Sequence, residues 1–265
     1  MIKLACNYSA ELMRLIAEKR TDADYIKAGL YGSYTDLIGE MRNVRPVLLH
    51  GMGYYERTGM KNIGEVDFDR VNKYLTDCGS PHYGFHLAVT NSDLPYPMTD
   101  DEIHVLMSGR VQTFKKNINV PLLLENVPDT PEDRTVFDHR PYAEAEKINR
   151  LITENGVSFL LDITHAKITA EFRGWDVHEY LKALPLDLIR EIHVNGSGRD
   201  ETGNPTDPHA AMADEDYRLL EWTLQYSMPD IITLEYFGTP GETGDVISEN
   251  LITQLRELKR IAAAS

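Results

Sequence analysis

The residues best equipped for chemistry in this chain are histidines and carboxylates standing at the ends of short apolar runs. His50 closes Leu48-Leu49-His50, His86 closes Gly84-Phe85-His86, and Glu125 closes Leu122-Leu123-Leu124-Glu125. Asp162 ends Leu160-Leu161-Asp162, and His165 follows three residues later. His193 lies in Glu191-Ile192-His193-Val194, Asp207-Pro208-His209 comes next, and Glu235 ends Thr233-Leu234-Glu235. Imidazole and carboxylate without thiolate form the donor set of iron, manganese or zinc, and that set disfavours copper(I) and iron–sulfur clusters. Nine donors are too many for one ion. A carboxylate such as Glu125 can bridge two ions about 3.5–4 Å apart.

Taken singly, a strand-end histidine is more often a hydrogen-bonded structural residue than a ligand, and a lone strand-end carboxylate is often an ion-pair partner. The case rests on register. Side chains alternate along a strand, so Leu48 and His50 share a face, as do Leu123 and Glu125, and Thr233 and Glu235. If the apolar member of each pair fills an interior, six consecutive strands aim a His, Asp or Glu at one mouth. Such a gathering is costly in a poorly hydrated place unless something pairs the charges, and a metal cluster does so.

The elements that must hold these residues are eight short apolar runs: Lys3–Asn7, Tyr25–Leu30, Pro46–Gly51, Tyr83–Val89, Pro121–Val127, Ser158–Thr164, Glu191–Asn195 and Ile231–Tyr236. Helix-like periodicity fills Ala10–Lys19, Thr35–Arg42, Asp100–Asn117, Tyr142–Asn155, Asp214–Tyr226 and Asp245–Ala262. Strand then helix, repeated eight times, predicts a closed (β/α)8 TIM barrel over residues 1–265 as one domain. Asp100 is placed to open a helix, and Gly156 stands where another should stop. Three non-periodic stretches, Met52–Lys73, Asn126–Arg140 and Asn195–Ala213, follow strands and are expected to overhang the catalytic face. An open doubly wound sheet would need a Gly-rich phosphate turn after the first strand, and Cys6-Asn7-Tyr8-Ser9 offers none.

Composition narrows the partners. With 27 Lys+Arg against 42 Asp+Glu the formal charge is −15, the opposite of what a phosphate-gripping surface carries, so nucleic acid is disfavoured. Cys6 and Cys78 cannot make a disulfide framework. No apolar run reaches the ~20 residues of a membrane span, and residues 1–8 run directly into a strand pattern, so a cytoplasmic location is expected.

Other residues enter as secondary candidates. Lys27 should point inward on the second strand, where it could neutralise a carboxylate or hold a substrate anion; a plain barrel salt bridge is the competing role. Asn7, Asn126 and Asn195 sit at strand ends as possible donors to metal ligands. Arg173, above the sixth strand, reads as an ordinary surface charge, with anion binding as the alternative. His82, His104, His139 and His178 read as solvated or structural.

The ordered set His50, His86, Glu125, Asp162-x-x-His165, His193, Asp207-x-His209, Glu235 resembles the trinuclear site of the endonuclease IV branch of the xylose-isomerase-like barrels. By that resemblance, His50, His86 and Glu125 hold the first metal. Glu125, Asp162, His193 and Glu235 hold the second, and His165, Asp207 and His209 the third. The residues around these positions are closer to another branch. Leu-Leu-Leu-Glu125-Asn126-Val, Leu-Leu-Asp162-Ile-Thr-His165, Glu191-Ile-His193-Val-Asn-Gly, Tyr180-Leu-Lys-Ala-Leu-Pro185 and Asp207-Pro-His209 are similar to the multinuclear non-heme iron oxidative enzymes, formerly a domain of unknown function. The resemblance implies two or three irons, dioxygen, and a cysteine-containing peptide as substrate, often shown to the enzyme by a partner protein. The chain departs from that pattern in being rather short and in reading Gly84-Phe-His86-Leu-Ala-Val where the family usually has Ser-x-His-Leu-Ser-Trp.

The expectation is therefore a metal-dependent barrel enzyme with two or three divalent or trivalent ions, iron first and zinc or manganese as alternatives. Glu125, Lys27 and Asn126 are the catalytic candidates. Oxidation of a cysteine-containing peptide or small thiol ranks ahead of phosphoester hydrolysis by zinc or manganese. Sugar isomerisation on one metal ranks last among the enzymes, because it leaves His50, His86, His165, Asp207 and His209 without a role. A non-catalytic metal-binding barrel would bind metal in a closed, ligand-saturated site.

Overall fold

The computed structural model of the chain describes residues 1–30, 32–51, 63–89, 94, 97–131, 134 and 142–265. In chain order the elements are β1 (Lys3–Asn7), α1 (Ala10–Ala17), β2 (Tyr25–Gly29), α2 (Gly32–Arg42), β3 (Val47–His50), α3 (Phe68–Cys78), β4 (Tyr83–His86), α4 (Asp100–Asn117) and β5 (Leu122–Glu125). Then come α5 (Ala145–Asn155), β6 (Ser158–Asp162), α6 (Ile163–Arg173), α7 (Val177–Ala183), β7 (Ile189–Val194), β8 (Gly196–Arg199), β9 (Pro205–Ala210), α8 (Asp214–Thr223), β10 (Ile231–Leu234) and α9 (Gly244–Ala264). Eight parallel strands close in the order β1-β10-β7-β6-β5-β4-β3-β2, while β8 and β9 form a separate antiparallel pair. The fold is the expected (β/α)8 barrel.

Strand alternation divides the core in two. Leu4, Cys6, Ile26, Ala28, Val47, Leu49, Tyr83, Phe85, Leu122, Leu124, Leu161 and Leu234 face outward into one continuous apolar layer shared with the helices. Each such Leu, Ile or Phe, when fully buried, stabilises the fold by about 1.5–3 kcal/mol. Ala5, Tyr25, Leu48 and Ile231 form a small separate cluster inside the barrel. The inward face therefore carries Leu48 then His50, Leu123 then Glu125, and Leu160 then Asp162, an apolar layer below a polar one. Register levels the polar layer: His86 lies beside Glu125, and Asp162 beside His193, which neighbours Thr233. On the opposite wall Lys27 lies beside Asn7.

Several expectations need correction. The stretch Met52–Lys73 reads as non-periodic; residues 52–62 lie outside those described, but α3 starts at Phe68. Phe68, Val71, Leu75 and Cys78 repeat at helical spacing, and a window closed at Lys73 cuts that pattern in half. Asp100 does not cap its helix. Thr99 does, accepting from the Glu102 N–H while Glu102 accepts from the Thr99 N–H. The sixth strand ends at Asp162 as expected, but α6 follows at once, with Asp162 as its cap through the His165 N–H at 2.7 Å. Helix α6 buries Ile163, Thr164, His165, Ala166, Ile168, Thr169 and Ala170, so no polar stripe marks it in sequence. Asn195–Ala213 contains the β8–β9 hairpin. Gly156 does end α5, with φ of 58°. Among the described residues no helix is long and apolar enough to cross a membrane.

Candidate metal centre

Two groups of donors converge at the C-terminal mouth. His50, His86 and Glu125 form one, and Glu125, Asp162, His193 and Glu235 the other; within each group one atom per residue lies within 4.8 Å of all its partners. Glu125 belongs to both. Its Oε2 is 2.6 Å from His50 Nε2 and 3.4 Å from His86 Nε2, while its Oε1 is 3.0 Å from His193 Nδ1. His193 Nδ1 also lies 3.6 Å from Glu235 and 4.0 Å from Asp162 Oδ2.

The donor atoms suit metal ions on more than spacing. His50 Nε2, Glu125 Oε2 and Asp162 Oδ2 are buried and have no hydrogen-bond partner among the described residues, although the first two are 2.6 Å apart. Buried polar atoms left unpaired are rare because desolvating them costs about 1–3 kcal/mol each. Three of them aimed into one space match ligands for a cation. Hard oxygens and imidazoles with no thiolate nearby fit iron, manganese or zinc.

The third set is built differently. His165 sits in the first turn of α6, and Asp207 and His209 lie on β9 rather than in irregular structure within Asn195–Ala213. His165 Nδ1 faces the Asn126 carbonyl at 2.8 Å, which leaves Nε2 to face Asp207 Oδ2 at 3.0 Å. His209 Nε2 reaches the same oxygen at 3.2 Å and Glu235 Oε2 at 3.8 Å. His209 has φ of 50°, a left-handed conformation uncommon for a residue with a Cβ.

Electrostatics follow from this crowding. Burial, helped by Lys27, pushes His50 down to about 4, so its imidazole is neutral. Burial lowers His86 as well. Burial opposes ionisation of Glu125, but His86, His193 and His50 hold it well below the usual carboxylate range. Asp162 is lifted to about 7 by burial, with Glu235, Asp207 and Glu125 adding repulsion against the pull of His165. Burial and Lys27 oppose charge on His193, yet Glu235, Glu125 and Glu191 raise it to about 10. Without metal the carboxylates are thus matched by protons and by one ammonium.

That ammonium is Lys27, buried and in close contact with Glu235 Oε1, with Nζ 3.1 and 3.3 Å from the two nitrogens of His193. Burial works against its charge, but Glu235, Glu125 and Glu191 keep it protonated. Of the two roles open to it, it fills the ion-pair role. The Asn126 amide is engaged on both sides: Nδ2 donates to the Asp162 carbonyl and Oδ1 accepts the Asp162 N–H, each at 2.9 Å. It ties β5 to β6 beneath two ligands. Asn195 Nδ2 donates to Asp207 Oδ1 at 2.5 Å, and Asn7 remains half-buried at the rim of β1.

Away from the centre, Arg173 is not a free surface charge. It pairs with Asp129, which is fully buried and also takes two hydrogen bonds from Arg134 at 2.6 and 2.7 Å. His104 pairs with Glu154 at 2.7 Å, and His178 stacks edge-on against Trp222. His139 lies outside the described residues. Sequence reasoning missed Glu191 and assigned His82 no partner; the two meet inside the barrel at 2.6 Å. The signal was the same alternation, since Glu191 is two residues before His193. It also missed why position 84 is Gly: a Cβ there would come 2.8 Å from His50 Cδ2 and 2.9 Å from Leu160 Cδ1.

With this geometry in hand, comparison with known proteins gives a family. The model described as RiPP precursor modification enzyme MbnB/TglH/ChrH matches residues 15–254. A UPF0276 protein of Caulobacter vibrioides is 29% identical over 168 residues, covering 60% of this chain and 58% of that protein, so the chain spans less than two thirds of that relative. Among solved structures, an IOLI protein with a bound zinc atom superposes with a TM-score of 0.66 at 15% identity, covering 99% of both chains. A xylose isomerase domain protein from Alicyclobacillus acidocaldarius gives 0.61 at 15% identity over 99% of each chain. Endonuclease IV from Thermus thermophilus gives 0.56 at 14% identity, over 97% of this chain and 99% of its own. These likenesses show the (β/α)8 barrel fold.

Proposed function

The chain belongs to the RiPP precursor modification enzyme family MbnB/TglH/ChrH, and from that premise we propose that it is a multinuclear iron enzyme that uses dioxygen to oxidise a cysteine-containing peptide. The observation that carries the reading is the shared carboxylate of Glu125. It joins two buried donor groups, one of them holding an Asp162 oxygen with no hydrogen-bond partner among the described residues, at the mouth of a barrel of this family. Iron, when bound, supplies the one-electron chemistry that lets dioxygen react with a thiolate.

The protein's own contribution is positioning and charge. His50, Glu125 and Asp162 are rigidly held on β3, β5 and β6 and are buried. His86 and His209 leave 28% of their side chains exposed, so they mark the side from which a peptide approaches. Phe237, 44% exposed and stacked edge-on against His209 at 5.6 Å, offers an apolar surface beside that opening. Asn126 holds Asp162 in place, and Lys27 neutralises Glu235 on the side away from the opening. The partial exposure of His86 and His209 favours catalysis over a saturated storage site. A partner protein that presents the peptide is part of the proposal.

The test is anaerobic loading with iron(II), followed by addition of a cysteine-containing precursor peptide and dioxygen, with and without the presenting protein. The expected result is dioxygen uptake together with a mass change in the peptide that vanishes on Cys→Ser substitution of the peptide. Phosphoester hydrolysis or sugar isomerisation by the zinc- or manganese-loaded protein, with no dioxygen uptake by the iron form, would overturn it.

A further inference from the structure

We propose that Glu191, braced by His82 and Thr233, is a positioning residue of the metal centre that fixes the ring of His193 with Nδ1 turned toward the ligand cluster. The inference rests on the metal-centre reading above and adds a residue that touches no ion. Glu191 and His193 are two residues apart on β7, so both point into the barrel, Glu191 one layer deeper. Glu191 is 2% exposed. Its Oε1 accepts from His193 Nε2 at 2.9 Å and from Thr233 Oγ1 at 2.5 Å, and its Oε2 takes His82 Nε2 at 2.6 Å. Thr233 is on β10 and His82 immediately precedes β4, so three walls of the barrel grip one carboxylate.

The consequence is a choice of tautomer and of ring orientation. An imidazole can flip and can carry its proton on either nitrogen. Lys27 Nζ, 3.1 Å from His193 Nε2 and 3.3 Å from Nδ1, is only a donor and favours a lone pair on either nitrogen, so it does not choose between them. Glu191 Oε1, which also takes the Thr233 hydroxyl, offers His193 an acceptor and calls for Nε2–H. With Nε2–H held by Glu191, Nδ1 is the nitrogen that faces Glu125, Glu235 and Asp162 and would yield its proton to a cation there, the geometry of a carboxylate–histidine–metal arrangement. His82 extends the brace downward, for its ring lines a cavity at the opposite end of the barrel together with Tyr25, Leu123 and Ile231.

The experiment measures cobalt(II) and zinc(II) affinity by competition with a chromophoric chelator, together with the visible spectrum of the cobalt form. It compares the whole protein with Glu191→Ala, Glu191→Gln and His82→Asn. Positioning predicts that Glu191→Ala weakens at least one ion by about 10- to 100-fold and shifts the cobalt spectrum. Glu191→Gln, which keeps an acceptor oxygen for His193, should fall between alanine and wild type. A merely structural role would lower the melting temperature of the metal-free protein and leave affinity and spectrum alone. If the wild type binds ions and folded Glu191→Gln and His82→Asn bind every ion within twofold of it, the proposal is wrong, whether or not Glu191→Ala folds. If the wild type binds none, it is the metal-centre reading that falls.

Discussion

Removing metal should lower the melting temperature by an amount that can be worked out. Glu125, Asp162 and Glu235 converge with His193 in one buried group, and Asp162 Oδ2 has no hydrogen-bond partner among the described residues. The folded chain presents this site and the unfolded chain does not, so each ion stabilises by mass action, about 2.7 kcal/mol when free metal is 100-fold above its Kd. A globular chain unfolds with an entropy of about 2.1 cal/mol/K per residue, so 265 residues give about 0.56 kcal/mol/K. One ion then shifts the midpoint by about 5 °C, and two by about 10 °C. The assay is scanning calorimetry of loaded and chelated protein, with metal content measured on the same samples, followed by restoration on adding metal back. An unchanged midpoint after confirmed metal loss would refute the reasoning, since the donors would then be structural.

Four substitutions extend this. His209→Ala should lower the metal count by about one ion and spare the two groups that share Glu125, whereas Glu125→Ala should empty at least two positions; identical losses in both would remove the separate third set. Gly84→Ala should push His50 aside, because the new Cβ would meet it at 2.8 Å, and should weaken metal binding with a loss of about 1–3 kcal/mol in stability; tight binding in a chelator competition would show that the ring has room. Gly156→Ala places a Cβ at φ of 58° and should cost about 1 kcal/mol in urea unfolding with metal content unchanged; a neutral midpoint would mean that α5 can end in another way.

The barrel and its polar mouth were legible because both follow from period two. Leu48 with His50 and Leu123 with Glu125 announce which face is inside, and the strands supply them in order. What lay outside that signal is instructive. The Asp162–His165 spacing is a strand end and a helix cap at once, and a helix buried on nearly every side leaves no polar stripe to mark it. The β8–β9 hairpin was hidden because Asp207-Pro208-His209 is polar throughout and its pairing partner is a glycine-rich run. Glu191 obeys the same alternation as His193, yet its purpose depends on His82 and Thr233, which are remote in sequence. Arg173 could be assigned only once its buried partner Asp129 was placed.

The most direct test of the account is anomalous diffraction from crystals of the metal-loaded protein at the absorption edge of the ion supplied. The account predicts at least two peaks about 3.5–4 Å apart, with the Glu125 carboxylate between them, one peak against His50 and His86 and the other against Asp162, His193 and Glu235. A single peak, or peaks that leave Glu125 uncoordinated, would contradict it.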